Sequence, residues 1–225
     1  MKKTICALLA VLLANVAVGS VFAAPKTLIH PMAGVDVSEW NGEIDFGGLK
    51  QAGAQFVMIR AGSGRKGTVD RRFHENMANA KKAGLKVGVY FQHNVGSADD
   101  AVRAAWFLLD TISGYELDFP VALDYEYETG NDDYGIEEYS KSHLSEIADA
   151  FLGEVEREGY IPMIYASKYI LQQRLLPETL EKYAVWLAHY ADETDFAGHS
   201  IWQHSKTGTI GGKLFDLNIC YSDFS

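Results

Sequence analysis

From residue 34 onward, short apolar runs recur at intervals and are separated by stretches whose apolar residues repeat every three or four positions. The runs at 34–37, 56–61, 86–91, 120–125 and 162–165 have the length of buried strands. Between them, Phe73, Met77 and Ala80 follow helical spacing, as do Ala101, Ala105, Leu108 and Ile112. Ser97 and Asp100 precede the latter group at the spacing of a capping box. The longest stripe runs through Tyr139, His143, Ile147, Phe151 and Val155. Gly53, Gly84 and Gly159 stand where helices should stop.

After about residue 176 the rhythm changes. Runs at 184–188, 200–204 and 214–219 read as strands, but the gaps hold little that is helical. The expected order is five β/α units followed by three strands. Alternating strands and helices imply a parallel sheet, and eight strands suffice to close a barrel filled by side chains. The fold class is therefore α/β, a modified TIM-like barrel, with an open doubly wound sheet as the architectural alternative.

The chain begins differently. Lys2 and Lys3 precede an apolar run from Ile5 to Val18, and small residues follow at Val21-Phe22-Ala23. That pattern reads as a secretory signal peptide over 1–23 rather than as part of the fold. The alternative, an uncleaved anchor, suits it less, because Asn15 and Gly19 interrupt the run and a bilayer span needs about 20 apolar residues. Cleavage after Ala23 leaves 202 residues, 24–225, enough for one domain and too few for an added binding module. The expectation is an exported protein, periplasmic or extracellular, with no stable membrane anchor.

Without its leader the chain carries 18 basic and 30 acidic residues, a formal charge of −12. No basic stripe appears, which argues against a nucleic-acid partner. Cys220 alone remains after cleavage, so no internal disulfide is expected and the residue reads as a small buried hydrophobe.

In a parallel barrel the active site forms at the C-terminal ends of the strands. Those ends supply Asp36, Tyr90, Asp124, Glu126, Tyr165, Trp186, Tyr190, Trp202, Gln203, Asp216 and Asn218. Acids and aromatics dominate. Asp124 and Glu126 alternate on one strand, so they share a face with Cα atoms about 6.6 Å apart. Two close carboxylates do not both ionise readily, which keeps one protonated as a general acid. Glycosidic cleavage needs such an acid on the leaving oxygen and a second group at the oxocarbenium-like centre. A lone Asp-x-Glu also fits a solvated strand end; Asp36 and Asp216 on other strands favour the catalytic reading. Trp186, Tyr190 and Trp202 serve equally as core fillers or as stacking surfaces for sugar rings. Gln203, Tyr90 and Tyr165 would bind hydroxyl and acetamide groups. Glu128, past the strand end, reads as solvated. No metal-ligand spacing, serine elbow or phosphate loop is present, so neither a metal nor another cofactor is expected.

These residues fall in motifs that resemble glycoside hydrolase family 25, the muramidases. The motifs are Gly34-Val35-Asp36-Val37-Ser38 with Trp40 and Gly42, Ile59-Arg60-Ala61-Gly62, and 83–90 ending in Val89-Tyr90. Leu123-Asp124-Tyr125-Glu126, Ile164-Tyr165, Trp186-Leu187-Ala188 with Tyr190, Ile201-Trp202-Gln203 and Asp216-Leu217-Asn218 follow in order. The resemblance implies a flattened barrel and hydrolysis of the β-1,4 bond between N-acetylmuramic acid and N-acetylglucosamine in peptidoglycan. It implies Glu126 as the acid, Asp124 as the residue orienting the substrate acetamide, and Asp36 and Asp216 as the rest of an acidic floor. It also implies attack by the substrate's own acetamide. Two departures bear on subsite shape: Tyr90-Phe91-Gln92 where the family commonly has Tyr-His-Phe, and Tyr125 in place of an aliphatic residue. A non-catalytic glycan-binding barrel and a chitinase-like hydrolase are the competing readings.

Overall fold

The computed structural model describes residues 26–94, 96–126 and 139–224. The leader over 1–23 and Glu128 therefore lie outside the described residues. Strand β1 (Lys26–Val37) leads through a 3-10 turn (Glu39–Asn41) to helix α1 (Phe46–Gln51). Then come β2 (Phe56–Ser63), β3 (Thr68–Val69), α2 (Phe73–Lys82), β4 (Lys86–Gln92), α3 (Ala98–Ile112) and β5 (Val121–Tyr125). They are followed by α4 (Lys141–Arg157), β6 (Pro162–Ser167), α5 (Lys168–Gln173), α6 (Pro177–Lys182), β7 (Ala184–Ala188), β8 (Ile201–Ile210) and β9 (Lys213–Asp223).

The helices form where the spacing places them. Ser97 caps α3 by accepting from the Asp100 N–H, while the Asp100 carboxylate accepts from the Ser97 N–H at 3.2 Å, a reciprocal capping box. Helix α2 ends at Gly84, whose φ of 72° closes the turn and lets the Leu85 N–H reach the Ala80 carbonyl at 3.1 Å. Two details differ from expectation. Helix α4 starts after its Ser140 cap, so Tyr139 precedes it and stacks on His143 with centroids 4.9 Å apart. Helix α6 has no counterpart in the sequence pattern, because six residues are too few to display a helical period.

Parallel pairing runs β1–β2–β4–β5–β6–β7–β8, and β9 lies antiparallel between β8 and β1. Because β1 pairs with both β2 and β9, the ring closes on eight strands and the open-sheet alternative falls. The two-residue β3 pairs only with β2, outside the ring. Five β/α units and three closing strands are thus the observed order.

Alternation decides which residues fill the barrel. Val57, Ile59, Val87, Val89, Val121, Leu123 and Ile164 face outward into the core beneath the helices, with Phe73, Leu108 and Phe151. Their neighbours Met58, Tyr90, Ala122, Met163, Tyr165 and Trp186 face inward. Strands β8 and β9 outrun the apolar segments that announce them, continuing as a ribbon to a turn at Gly211 and Gly212, both at positive φ. Ser205, Lys206, Thr207 and Thr209 in that ribbon are polar, so no apolar alternation marks it.

Candidate active site

Register brings the acids together. Asp36 on β1 and Asp216 on β9 are direct antiparallel partners, as are Gln203 on β8 and Asn218 on β9. Side chains so opposed have Cβ atoms about 4.5–5.5 Å apart. On the other side of the ring, Asp124 on β5 lies in register with Gln92 on β4 and Tyr165 on β6, and Tyr165 with Trp186 on β7. The inward positions at the C-terminal ends of the parallel strands thus surround one mouth, with a cavity of about 320 Å³.

Of the ten site residues read from the sequence, nine line that cavity. They are the carboxylates Asp36, Asp124, Glu126 and Asp216, with Tyr90, Tyr165, Trp186, Tyr190 and Gln203. Trp202 does not. It neighbours Gln203 on β8 and so points the other way, into the outer core, where its Nε1 donates to the His189 carbonyl at 2.8 Å. Its expected part in sugar stacking is corrected by that parity.

Gln203 is a frame rather than an open hydrogen-bonding group. Its Nε2 donates to Asp36 Oδ2 at 2.8 Å and to Asp216 Oδ2 at 3.4 Å. Its Oε1 accepts from the Tyr165 hydroxyl at 2.8 Å and from Tyr190 at 3.1 Å. All four of its hydrogen-bonding positions are used inside the protein. Asn218, a strand-end residue with no role assigned from the sequence, completes the frame. It donates to Asp36 Oδ2 at 2.7 Å while accepting from Trp186 Nε1 at 2.8 Å.

Tyr165 has a second neighbour, Glu126 Oε1, at 2.9 Å. A phenol carries one proton, so it serves one acceptor at a time. Donating to an ionised Glu126 stabilises the carboxylate; donating to Gln203 leaves the phenol oxygen to accept a proton from a neutral Glu126. The same contact therefore suits both protonation states of an acid–base group.

Burial, with the facing Asp216 next in effect, pushes Asp36 up to about 8. Asp216 is raised as well, chiefly by desolvation, while the nearby Lys206 ammonium acts in the opposite direction. Both shifts favour the pair keeping one proton between them. With that proton on Asp36 Oδ1, Oδ2 remains free to accept both amide donors. Desolvation also holds the hydroxyls of Tyr90 and Tyr165 well above the usual phenol range, so both stay neutral donors.

Exposure separates floor from rim. Trp186 is 1% exposed and forms the cavity floor, edge-on to Tyr90. Tyr190 is 48% exposed and offers its ring at the rim, with Lys206 Nζ 5.3 Å from the ring centre. Sequence reasoning missed two cations at this end. Lys206 lines the mouth but sits on the polar ribbon, where no strand-end signal points to it. Arg60 lies close enough to Tyr90 to act on its hydroxyl. It is an inward charge in an apolar strand, a cue open to alternation, and it pairs with Asp70 at 2.8 Å and Glu39 at 3.0 Å.

The model of the family "Glycosyl hydrolases family 25" matches residues 35–213. The chain is 29% identical to the autolytic lysozyme of Clostridium acetobutylicum over 183 residues, which is 80% of this chain and 52% of that protein. It is 27% identical to lysozyme M1 of Streptomyces globisporus, over 82% of this chain and 65% of the other. The chain thus spans about half to two-thirds of the length of these relatives. The family GH25 lysozyme from Aspergillus fumigatus superposes with a TM-score of 0.72 at 26% identity, covering 86% of this chain and 95% of that one. A family 25 glycosyl hydrolase from Bacillus anthracis shares the fold, with a TM-score of 0.74 at 20% identity over 85% and 89% of the two chains. By sequence and fold, the chain belongs to glycosyl hydrolases family 25.

Proposed function

We propose that the protein is a muramidase, cleaving the β-1,4 bond from N-acetylmuramic acid to N-acetylglucosamine with Glu126 as the proton donor. One observation carries the reading: four carboxylates from β1, the end of β5 and β9 meet in one cavity, and one of them, Glu126, rests against a phenol able to pair with either of its protonation states.

In the first step Glu126 gives its proton to the glycosidic oxygen as the bond to C1 breaks. The acetamide oxygen of the N-acetylmuramic acid unit closes on C1, and Asp124, 4% exposed beneath the same cavity, orients the acetamide and balances its developing positive charge. Water then adds to C1 from the face the leaving group vacated and returns a proton to Glu126. The hemiacetal formed keeps the β-configuration. The Asp36–Asp216 pair, holding one proton between them, contributes a single negative charge to the floor. This is fewer charges than four free carboxylates would present to an anionic polymer.

The protein acts outside the cytoplasm on this reading, with the leader removed after Ala23. The test is release of reducing sugar from purified sacculi by the secreted chain. A chain that binds sacculi but frees no reducing ends is a glycan-binding barrel, and the muramidase reading then fails.

A further inference from the structure

A second cavity, of about 580 Å³, opens beside the first and shares Asp36, Tyr90, Lys206 and Asp216 with it. Its other walls are the turn after β1, with Trp40, and the tip of the β8–β9 ribbon, with Lys213 and Leu214 just past its turn. Two features set it apart. Trp40 is 78% exposed and Leu214 62%, so large apolar side chains are left to solvent at the edge of a polar site. Lys206 and Lys213 are also the only cations among the described residues that line either cavity, in a chain of formal charge −10.

The Trp40 platform is built rather than loose. Ser38 accepts from the Trp40 N–H at 3.3 Å, and Asn41 Oδ1 accepts from the Ser38 N–H at 2.9 Å. Glu39, next to the tryptophan, donates its N–H to Asp70 Oδ2 at 2.9 Å and pairs through its carboxylate with Arg60 and Arg71. Opposite, the Lys213 ammonium donates to the Glu43 carbonyl, which ties the ribbon to the segment before α1. An indole held open to solvent suits the apolar face of a pyranose ring. Lysines at the far wall suit an anion carried by that sugar.

We propose that this cavity is a subsite for a further sugar of the glycan strand, stacked on Trp40, whose carboxylate substituent is held by Lys206 and Lys213. The inference rests on the muramidase reading and names what that site selects: an acidic glycan over a neutral one. A bare carboxylate approaching the Asp36–Asp216 floor meets repulsion, and the two ammonium groups reverse its sign locally. The carboxylate has two sources on a peptidoglycan strand: the stem peptide where one is attached, and the lactyl group where none is, because the stem ties that carboxyl up as an amide.

The experiment measures binding in the Glu126→Gln background by calorimetry at two salt concentrations. Three probes are used: a peptidoglycan tetrasaccharide with its stem peptides, the same tetrasaccharide with the peptides removed, and chitotetraose. In K206Q/K213Q, affinity for at least one of the two acidic probes should fall about tenfold. Its salt dependence should shrink, while chitotetraose changes less than about twofold. K206R/K213R should restore the lost affinity. A loss confined to the peptide-free probe assigns the lactyl carboxylate, a loss confined to the peptide-bearing probe assigns the stem, and a loss in both shows that either anion is accepted; each supports the subsite. Trp40→Ala should weaken all three probes together. Equal loss for acidic and neutral probes, or none for either, overturns the proposal. If wild-type chain cleaves sacculi while the lysine variants bind like the parent, the subsite falls and the muramidase reading stands. If wild-type chain frees no reducing ends, it is the latter that falls.

Discussion

The two ends of the barrel share one wall and one alternation, yet they are made for opposite purposes. At the N-terminal end of the parallel strands the inward positions are Phe56, Met58, Met163 and Ile201, joined by Phe119, Cys220 and Phe224. Phe56 and Phe119 stack at 4.7 Å, and Phe224 meets Phe119 edge-on. The plug is filled closely enough that a Cβ on Gly34 would lie 2.4 Å from the Phe56 ring. A few residues further along the strands, the inward positions become Asp36, Tyr90, Asp124, Tyr165, Gln203 and Asn218. Burial there costs desolvation, visible in the raised Asp36 and offset in part by two amide donors on one of its oxygens. One end supplies stability without chemistry, and the other holds chemistry at the expense of stability.

The largest effect expected separates the two ends completely. Glu126→Gln should lower turnover on sacculi by about 10²–10⁴-fold while leaving the melting temperature within about two degrees of the parent, the effect of a neutral surface change. Retention of a tenth of the activity would remove Glu126 from the reaction. At the plug, Phe56→Ala should cost about 3–5 kcal/mol in urea unfolding and spare kcat in whatever fraction remains folded. A loss below about 1 kcal/mol would mean that the end is not packed as described.

Asp36→Asn gives a middle-sized effect with a sign that distinguishes the ends. Between its ordinary value of 3.8 and the raised value of about 8, the folded chain keeps a proton that the unfolded chain has released. The contribution of Asp36 to stability therefore declines as pH rises through that window, by up to about 1.4 kcal/mol per pH unit. An asparagine at this position has no proton to release. The variant should therefore show a flatter profile and exceed the parent in stability above about pH 8, with reduced activity. A variant whose stability profile runs parallel to the parent's across that window would contradict a protonated Asp36. The smallest effect belongs to Trp202→Phe, which deletes the bond to the His189 carbonyl and should cost about 1 kcal/mol. Its KM for glycan should match the parent's, because the ring faces the outer core; a raised KM would return Trp202 to the site.

Much of this division is legible in the amino-acid order. The inward acids follow apolar runs, and period-two alternation alone assigns Asp36, Asp124 and Glu126 to one side of their strands. Trp202 and Gln203 show the limit of reading by residue chemistry. Neighbours on one strand cannot both face inward, and parity decides against the tryptophan. Ring closure has no local sign, because β1 and β9 come from opposite ends of the chain and their pairing is a tertiary fact. Trp40 lies in a 3-10 turn and the lysines on a solvated ribbon, neither of which carries a period, so only the folded chain reveals their convergence.

The central claim is that the mouth cleaves muramyl bonds, and the new reducing end tests it most directly. Sacculi digested with the protein, reduced with borohydride and hydrolysed should convert muramic acid to its alditol while glucosamine stays unreduced. Reduced glucosamine with intact muramic acid would contradict the account.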